Sequence, residues 1–267
     1  MYQQFFGFEA TPFTKTIATP DVLATPSLKE LIARLSLVVK ERGIGLVTGD
    51  IGSGKSTAVR AFLASLDPNR HILVQLAAPI ASPGALYRSL LLALNQQPPF
   101  GATAQIAALR TTLADLVATR KTPVIVIDES HLLPMTLIDP LRTLLAADLD
   151  SKSLAALILI GQPDLKRLLQ LNTLQAFAQR ITTRAHLEPL SLEVTLAYIR
   201  HHLKVAGFKQ DSLFADDALQ RIADYTQGFP RRINQLGTAA LIAAASDKKK
   251  IVDDAAVRMA INDLEQD

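Results

Sequence analysis

Gly49-Asp50-Ile51-Gly52-Ser53-Gly54-Lys55-Ser56 fits the pattern G-x-x-x-x-G-K-[ST], a glycine-rich turn that wraps a phosphate chain. Ile44-Gly45-Leu46-Val47-Thr48 before it is a short apolar run suited to a buried strand. Thr57 to Leu66 after it carries Val59, Phe62, Leu63 and Leu66 at helical spacing. Strand, glycine loop and helix in that order are the context the motif needs. The glycines let the backbone curl so that its N–H groups face the β- and γ-phosphates. The helix N-terminus adds partial positive charge. Lys55 is placed to reach the terminal phosphates and the Ser56 hydroxyl to hold Mg²⁺. Gly49 through Thr57 is therefore the expected cradle for a nucleoside triphosphate, ATP with its Mg²⁺.

The second chemical feature is Pro123-Val124-Ile125-Val126-Ile127-Asp128-Glu129, a buried strand ending in two carboxylates. Four apolar residues before an Asp put that Asp at the strand's C-terminal edge, where open α/β sheets place their ligands. Asp128 reads as the second Mg²⁺ partner, and Glu129 as the carboxylate that polarises the water attacking the γ-phosphate. Asp-Glu after a strand is also ordinary solvated charge. Its place 73 residues after Lys55 (128 − 55), with one strand between, makes the chemical reading the stronger. His131 reads as a helix-start histidine, with contact to Glu129 as the alternative.

Composition sets the frame. The chain has 267 residues, 49% of them hydrophobic but only 5% aromatic, so the core is built from Leu, Ile, Val and Ala. Cysteine is absent, which excludes disulfides, zinc fingers and thiol catalysis. The start, Met1-Tyr2-Gln3-Gln4-Phe5, has no basic, apolar leader pattern, and no apolar run approaches the ~18 residues of a bilayer span. A cytoplasmic protein with no membrane partner is expected. A net charge of +3, from 28 basic and 25 acidic residues, hints weakly at an anionic partner.

Around these motifs the chain divides into three expected parts: an arm over 1–26, a nucleotide-binding domain over 27–189 and a helical module over 190–267. The arm has apolar anchors at Phe5-Phe6-Gly7-Phe8 and Pro12-Phe13, which pack over the core or also cover the nucleotide's base. Ser27 to Arg42 reads as a helix capped by Ser27, and His71–Leu76 as a second strand. Helices follow over Pro83–Leu94, Thr103–Thr119 and Thr136–Ala147. Leu154–Ile160 is a fourth strand followed by Gly161-Gln162-Pro163 and a helix that Asp164 caps, and Ala185-His186-Leu187 is the fifth strand. The Gln162 amide at its strand end could contact the γ-phosphate or the water, or simply shape a turn. From Leu190 onward the pattern is helical only: Ser191–Val205, Ala215–Thr226, Pro230–Ala245 and Asp253–Glu265. Lys248-Lys249-Lys250 reads as a solvated turn, with DNA contact the minority reading.

In this order the motifs resemble the AAA+ ATPases, and more closely the ATPase module of the general secretion pathway protein A family. The residues that carry the resemblance are Phe5–Phe8 with Pro12-Phe13, Gly49–Ser56, Val124–Glu129 with His131, Gly161–Leu165, Gln179-Arg180-Ile181 and Gly228-Phe229-Pro230-Arg231. Related ATPases serve DNA transposons by selecting target DNA and recruiting the transposase. The resemblance implies an α/β fold: a P-loop AAA+ three-layer αβα domain with a five-stranded parallel sheet, followed by a small all-helical lid. It also implies that Arg180 is the arginine finger reaching a neighbouring subunit's γ-phosphate, with Arg184 its rival. Arg231 becomes the second sensor, touching bound nucleotide, and Gln162 takes the first sensor position, where many relatives carry Asn, Ser or Thr. A finger working between subunits requires self-association into a ring or helical filament, so that hydrolysis depends on assembly.

The family's secretion members continue into a membrane span and a peptidoglycan-binding region, whereas this chain ends at Asp267. The favoured expectation is an ATP-dependent regulator of transposition that binds duplex DNA through its phosphate backbone and has a transposase or other protein client. A secretion-type ATPase acting on proteins, and a slow nucleotide switch, are the alternatives. The loops after the second strand are no basic groove, since Arg88 is the sole Lys or Arg between His71 and Leu109.

Overall fold

The computed structural model describes residues 2–147, 152–210 and 212–266. It separates into two compact units, an α/β unit of residues 26–51 and 55–187 and a helical unit of residues 1–25, 52–54 and 188–267.

The α/β unit is built on β1 (Ile44–Gly49), β2 (His71–Ala77), β3 (Thr122–Asp128), β4 (Ala146–Ala147), β5 (Lys152–Ser153), β6 (Ala156–Gly161) and β7 (Ile181–Leu187). Five of these form one parallel sheet in the order β2-β3-β6-β1-β7, and β4 pairs antiparallel with β5 as a separate ladder. Every residue of β1 and β6 is buried, as expected of central parallel strands covered on both faces. The edge strand β7 alternates instead, with Ile181, Ala185 and Leu187 buried and Thr182, Arg184 and His186 exposed. Its partner strand holds it additionally through Thr48, whose hydroxyl lies 3.1 Å from His186 Nδ1.

Helices Pro26–Glu41, Lys55–Ala64, Pro83–Ala93, Ala102–Ala118 and Ile138–Leu145 belong to this unit. Their apolar stripes give the core fully buried leucines such as Leu86, Leu90, Leu109, Leu113, Leu141 and Leu144. Each such side chain contributes about 1.5–3 kcal/mol on leaving water. Helix Pro83–Ala93 is capped by Ser82, whose Oγ accepts the Ala85 N–H at 3.2 Å.

Several elements depart from the sequence expectation. Helix Pro26–Glu41 starts one residue before Ser27, so Ser27 lies in its first turn and does not cap it. Asp164 is likewise the first helical residue of Asp164–Leu168 and pairs with Arg167 at 3.1 Å instead of capping. β7 begins at Ile181, four residues earlier than expected, which puts Arg184 inside the strand.

The helical unit has four main helices, Leu192–Val205, Asp216–Thr226, Pro230–Ser246 and Asp254–Gln266. Their buried faces meet through Ile199, Leu203, Leu219, Ile222, Ile233 and Leu236, among others. The N-terminal segment belongs to this unit. It is not irregular throughout, because Tyr2–Phe6 is a short helix. Phe13 is buried and stacks on His202 with ring centroids 5.6 Å apart, while Phe8 sits 5.8 Å from Phe208. Phe6, Phe8 and Phe13 therefore pack into the helical core, whereas Phe5 stays exposed.

Candidate functional site

In an open parallel sheet the strand C-termini form one edge, and here the central three bring the candidate residues together. β6 lies between β1 and β3, with Thr48 opposite Gly161 and Ile127 opposite Leu159. Gly49, Asp128 and Gln162 thus leave the sheet side by side, at the edge where α/β folds take ligands.

After β1 the chain turns through Asp50–Gly54 and enters helix Lys55–Ala64. Gly52 and Gly54 take φ of +84° and +91°, a backbone that side-chain-bearing residues rarely adopt. Lys55 is only 8% exposed, and its ammonium donates to the carbonyls of Gly49 at 2.8 Å and Asp50 at 2.9 Å. A buried ammonium at the mouth of a glycine loop is suited to an anion there. Ser53 Oγ is buried without a protein hydrogen-bond partner. The ten-residue helix directs its free N–H groups into the same loop. An unspent hydroxyl, a buried ammonium and a helix N-terminus converge, and this donor set fits a phosphate chain.

The Ser56 hydroxyl donates to Asp128 Oδ2 at 2.9 Å, bringing the two expected Mg²⁺ partners into contact. Among the described residues no group of three or more His, Cys, Asp or Glu side chains could hold a metal ion. A hydroxyl and one carboxylate suit Mg²⁺, which keeps waters and takes its remaining oxygens from phosphates.

Glu129 follows Asp128 in a left-handed backbone, φ +51°, and its N–H donates to Asp128 Oδ1 at 2.8 Å. A glutamate there is uncommon, and strain of this kind of about 1–3 kcal/mol persists where the surroundings fix it. The fixing groups are visible. Ser130 is fully buried and its Oγ donates to the Ile127 carbonyl at 2.7 Å, while Ser130-His131-Leu132 forms a single 3₁₀ turn.

His131 makes one contact that the sequence reading did not name, to Gln162. It stands in that turn, its side chain 11% exposed, with Nδ1 3.4 Å from Glu129 Oε2 and Nε2 2.9 Å from Gln162 Nε2. Gln162 also directs its backbone N–H at His131 Nδ1, 3.4 Å away. The sheet edge admits the turn because residue 161 is glycine. A Cβ there would lie 3.1 Å from the His131 nitrogen and 2.9 Å from Leu165 Cδ2.

Arg180 directly precedes β7 and is half-buried, its N–H donating to the Phe177 carbonyl at 3.0 Å. Arg184, inside the strand and exposed, donates from Nη2 to the Ala178 carbonyl at 2.7 Å. In the helical unit Arg231 is exposed in the first turn of Pro230–Ser246, and its N–H donates to the Gly52 carbonyl at 3.3 Å. Arg232 lies over the Phe229 ring, 5.2 Å from its centroid.

Comparison with known proteins agrees with this geometry. Residues 38–169 match the family model described as an AAA domain. General secretion pathway protein A of Aeromonas hydrophila is 37% identical over 261 residues, a match covering 94% of this chain and 46% of that protein. The chain thus spans about half the length of that relative. Among solved structures, Cdc6p of Pyrobaculum aerophilum has a TM-score of 0.71 at 16% identity, covering 94% of this chain and 70% of its own. The Aeropyrum pernix ORC1 protein, solved in complex with DNA, has a TM-score of 0.70 at 19% identity, covering 97% and 70%. At such identities the likeness is one of fold.

Proposed function

With an AAA domain in a P-loop AAA+ fold as premise, we propose that this chain is a Mg²⁺-dependent ATPase whose hydrolysis is completed by a neighbouring copy. The observation that carries the reading is the junction of Ser56 and Asp128 beside the phosphate loop, with Glu129 next in the chain. Gly49–Thr57 would wrap the phosphates, with Lys55 on the terminal ones. Ser56 and Asp128 would hold Mg²⁺, which would supply charge neutralisation for the phosphates. Glu129 orients and polarises the attacking water, Gln162 faces the same edge, and Arg231 couples the helical lid to the nucleotide. We assign the nucleotide-binding domain to 27–189 and the lid to 190–267, with 1–26 as an arm.

Arg180 is proposed as the finger offered to the adjoining subunit, because it stands at the entrance of an edge strand. Arg184, inside the same strand with its guanidinium donating to the Ala178 carbonyl, is the rival candidate. A ring or helical filament follows from a shared site.

The client we favour is duplex DNA, with a transposase or similar protein recruited to the assembly. The basic balance of the chain and the fold shared with an ORC1 protein solved on DNA support it. The second reading, assembly work on secretion proteins, is favoured by the 37% identity to general secretion pathway protein A. Negative-stain imaging with a slowly hydrolysed ATP analogue, with and without duplex DNA, separates the two. Polymers that need both ligands support the DNA reading; nucleotide-dependent rings indifferent to DNA overturn it in favour of a protein client.

A further inference from the structure

His131 stands between two groups assigned to the chemistry, and its ring can serve both only in defined ways. A neutral imidazole has one N–H and one bare nitrogen. In the first arrangement Nδ1–H donates to Glu129 Oε2 and Nε2 accepts an N–H of the Gln162 amide, across the 3.4 and 2.9 Å separations. In the second, the Gln162 amide is turned over and its carbonyl accepts from Nε2–H. Nδ1 then accepts the Gln162 backbone N–H, 3.4 Å away, and the Glu129 carboxylate is left without its partner. The orientation of one amide therefore decides whether the carboxylate is held or released. The ring cannot drift out of this relay, because its side chain is 11% exposed and Gly161 lets its turn sit directly against the end of β6.

We infer that His131 is a positioning residue that couples the orientation of Gln162 to the aim of the Glu129 carboxylate. The inference rests on the reading of Glu129 as the water-activating group. It gives Gln162 a function beyond a direct contact with phosphate: an amide that offers its N–H to Nε2 keeps the proton on Nδ1 and holds the Glu129 carboxylate in its aim at the water, and an amide turned over releases it. The 31-residue separation of His131 and Gln162 makes this a link between two strand ends, not a local turn contact.

The test is ATP turnover and equilibrium ATP binding of the intact chain, measured on wild type, His131→Ala, His131→Asn, Gln162→Ala and the His131→Ala/Gln162→Ala double variant. A misaimed carboxylate is expected to lower kcat by roughly a hundredfold. In the two His131 single variants ATP affinity is expected to stay within about twofold of wild type, because His131 makes no contact assigned to the nucleotide. His131→Asn, which keeps both a donor and an acceptor, recovers part of the rate. The double variant is no slower than His131→Ala alone, because the two residues act through one path. Wild-type turnover in His131→Ala overturns the inference, and so does a loss of rate matched by an equal loss of ATP affinity and no recovery in His131→Asn. Glu129→Gln distinguishes the underlying reading: if it turns over like wild type, the assignment of Glu129 falls, whatever the His131 variants do.

Discussion

Lys55 is the most exacting residue of the site: its ammonium, at 8% exposure, donates to the Gly49 and Asp50 carbonyls inside the proposed phosphate loop. A phosphate in that loop would take charge-assisted hydrogen bonds from it, so removing the ammonium should be felt in binding. Charge-assisted hydrogen bonds contribute about 1.5–3 kcal/mol, so Lys55→Ala should weaken ATP binding at least about tenfold by calorimetry. Undiminished affinity would contradict the loop assignment. His202 presents the opposite case, a titratable group that the fold keeps neutral. Burial, with His201 adding to it, pushes its pKa down to about 4 from an ordinary value near 6.5. The unfolded chain then binds the proton more readily, so stability is intact above about pH 6.5 and falls as the pH drops towards 4. The loss is on the order of 3 kcal/mol, and a urea midpoint followed from pH 7 to pH 4.5 should show part of it in wild type. In His202→Leu that slope should flatten. An unchanged slope would mean that other groups govern the acid limb.

At the scale of elements, the arm and the 3₁₀ turn after β3 make the sharpest statements. Phe13 is 4% exposed and fills space against His202 and Phe214, so Phe13→Ala should cost about 3–5 kcal/mol of the helical unit's stability. A thermal midpoint within a degree of wild type would refute that anchoring role. Gly161→Ala inserts a methyl 3.1 Å from the His131 nitrogen and should slow turnover with little change in the far-ultraviolet spectrum. Full activity would show that the turn has room to move. The same two elements show what the sequence could tell. β1, β3 and β6 were legible because central parallel strands are unbroken apolar runs, and the phosphate loop and Asp128 were legible from what stands at their ends. Helix Gln175–Ala178 and the β4–β5 ladder were not, since four and two residues are too few to show a period. The His131–Gln162 contact was not legible because Gln162 follows β6, 31 residues on, and contacts between two strand ends leave no local pattern. A glycine followed by an amide at the end of β6 was the available clue.

For the whole molecule, the consequence of a finger at Arg180 is that one chain alone hydrolyses poorly. Arg180→Ala should bind ATP normally and turn over at least about a hundredfold more slowly, the lower part of the range for removing a charge aimed at the transition state. Arg184→Ala should hydrolyse at close to the wild-type rate; if Arg184→Ala loses the activity and Arg180→Ala keeps it, the finger is misassigned. Equal amounts of Arg180→Ala and Glu129→Gln chains place an intact Arg180 beside an intact Glu129 at some of the mixed interfaces. Turnover should then return in the mixture although neither variant has it, and a mixture as inactive as its parts would argue against a site shared between copies. Among the described residues of this chain no helix is long and apolar enough to cross a membrane.

The most direct measurement compares wild type with Glu129→Gln, taking ATP affinity by titration calorimetry and phosphate release in the presence of Mg²⁺. The account predicts equal affinities and a fall in turnover of at least about a hundredfold, the scale of losing one positioned proton-transfer group. Equal phosphate release by the two proteins, or no heat of ATP binding in either, would contradict it.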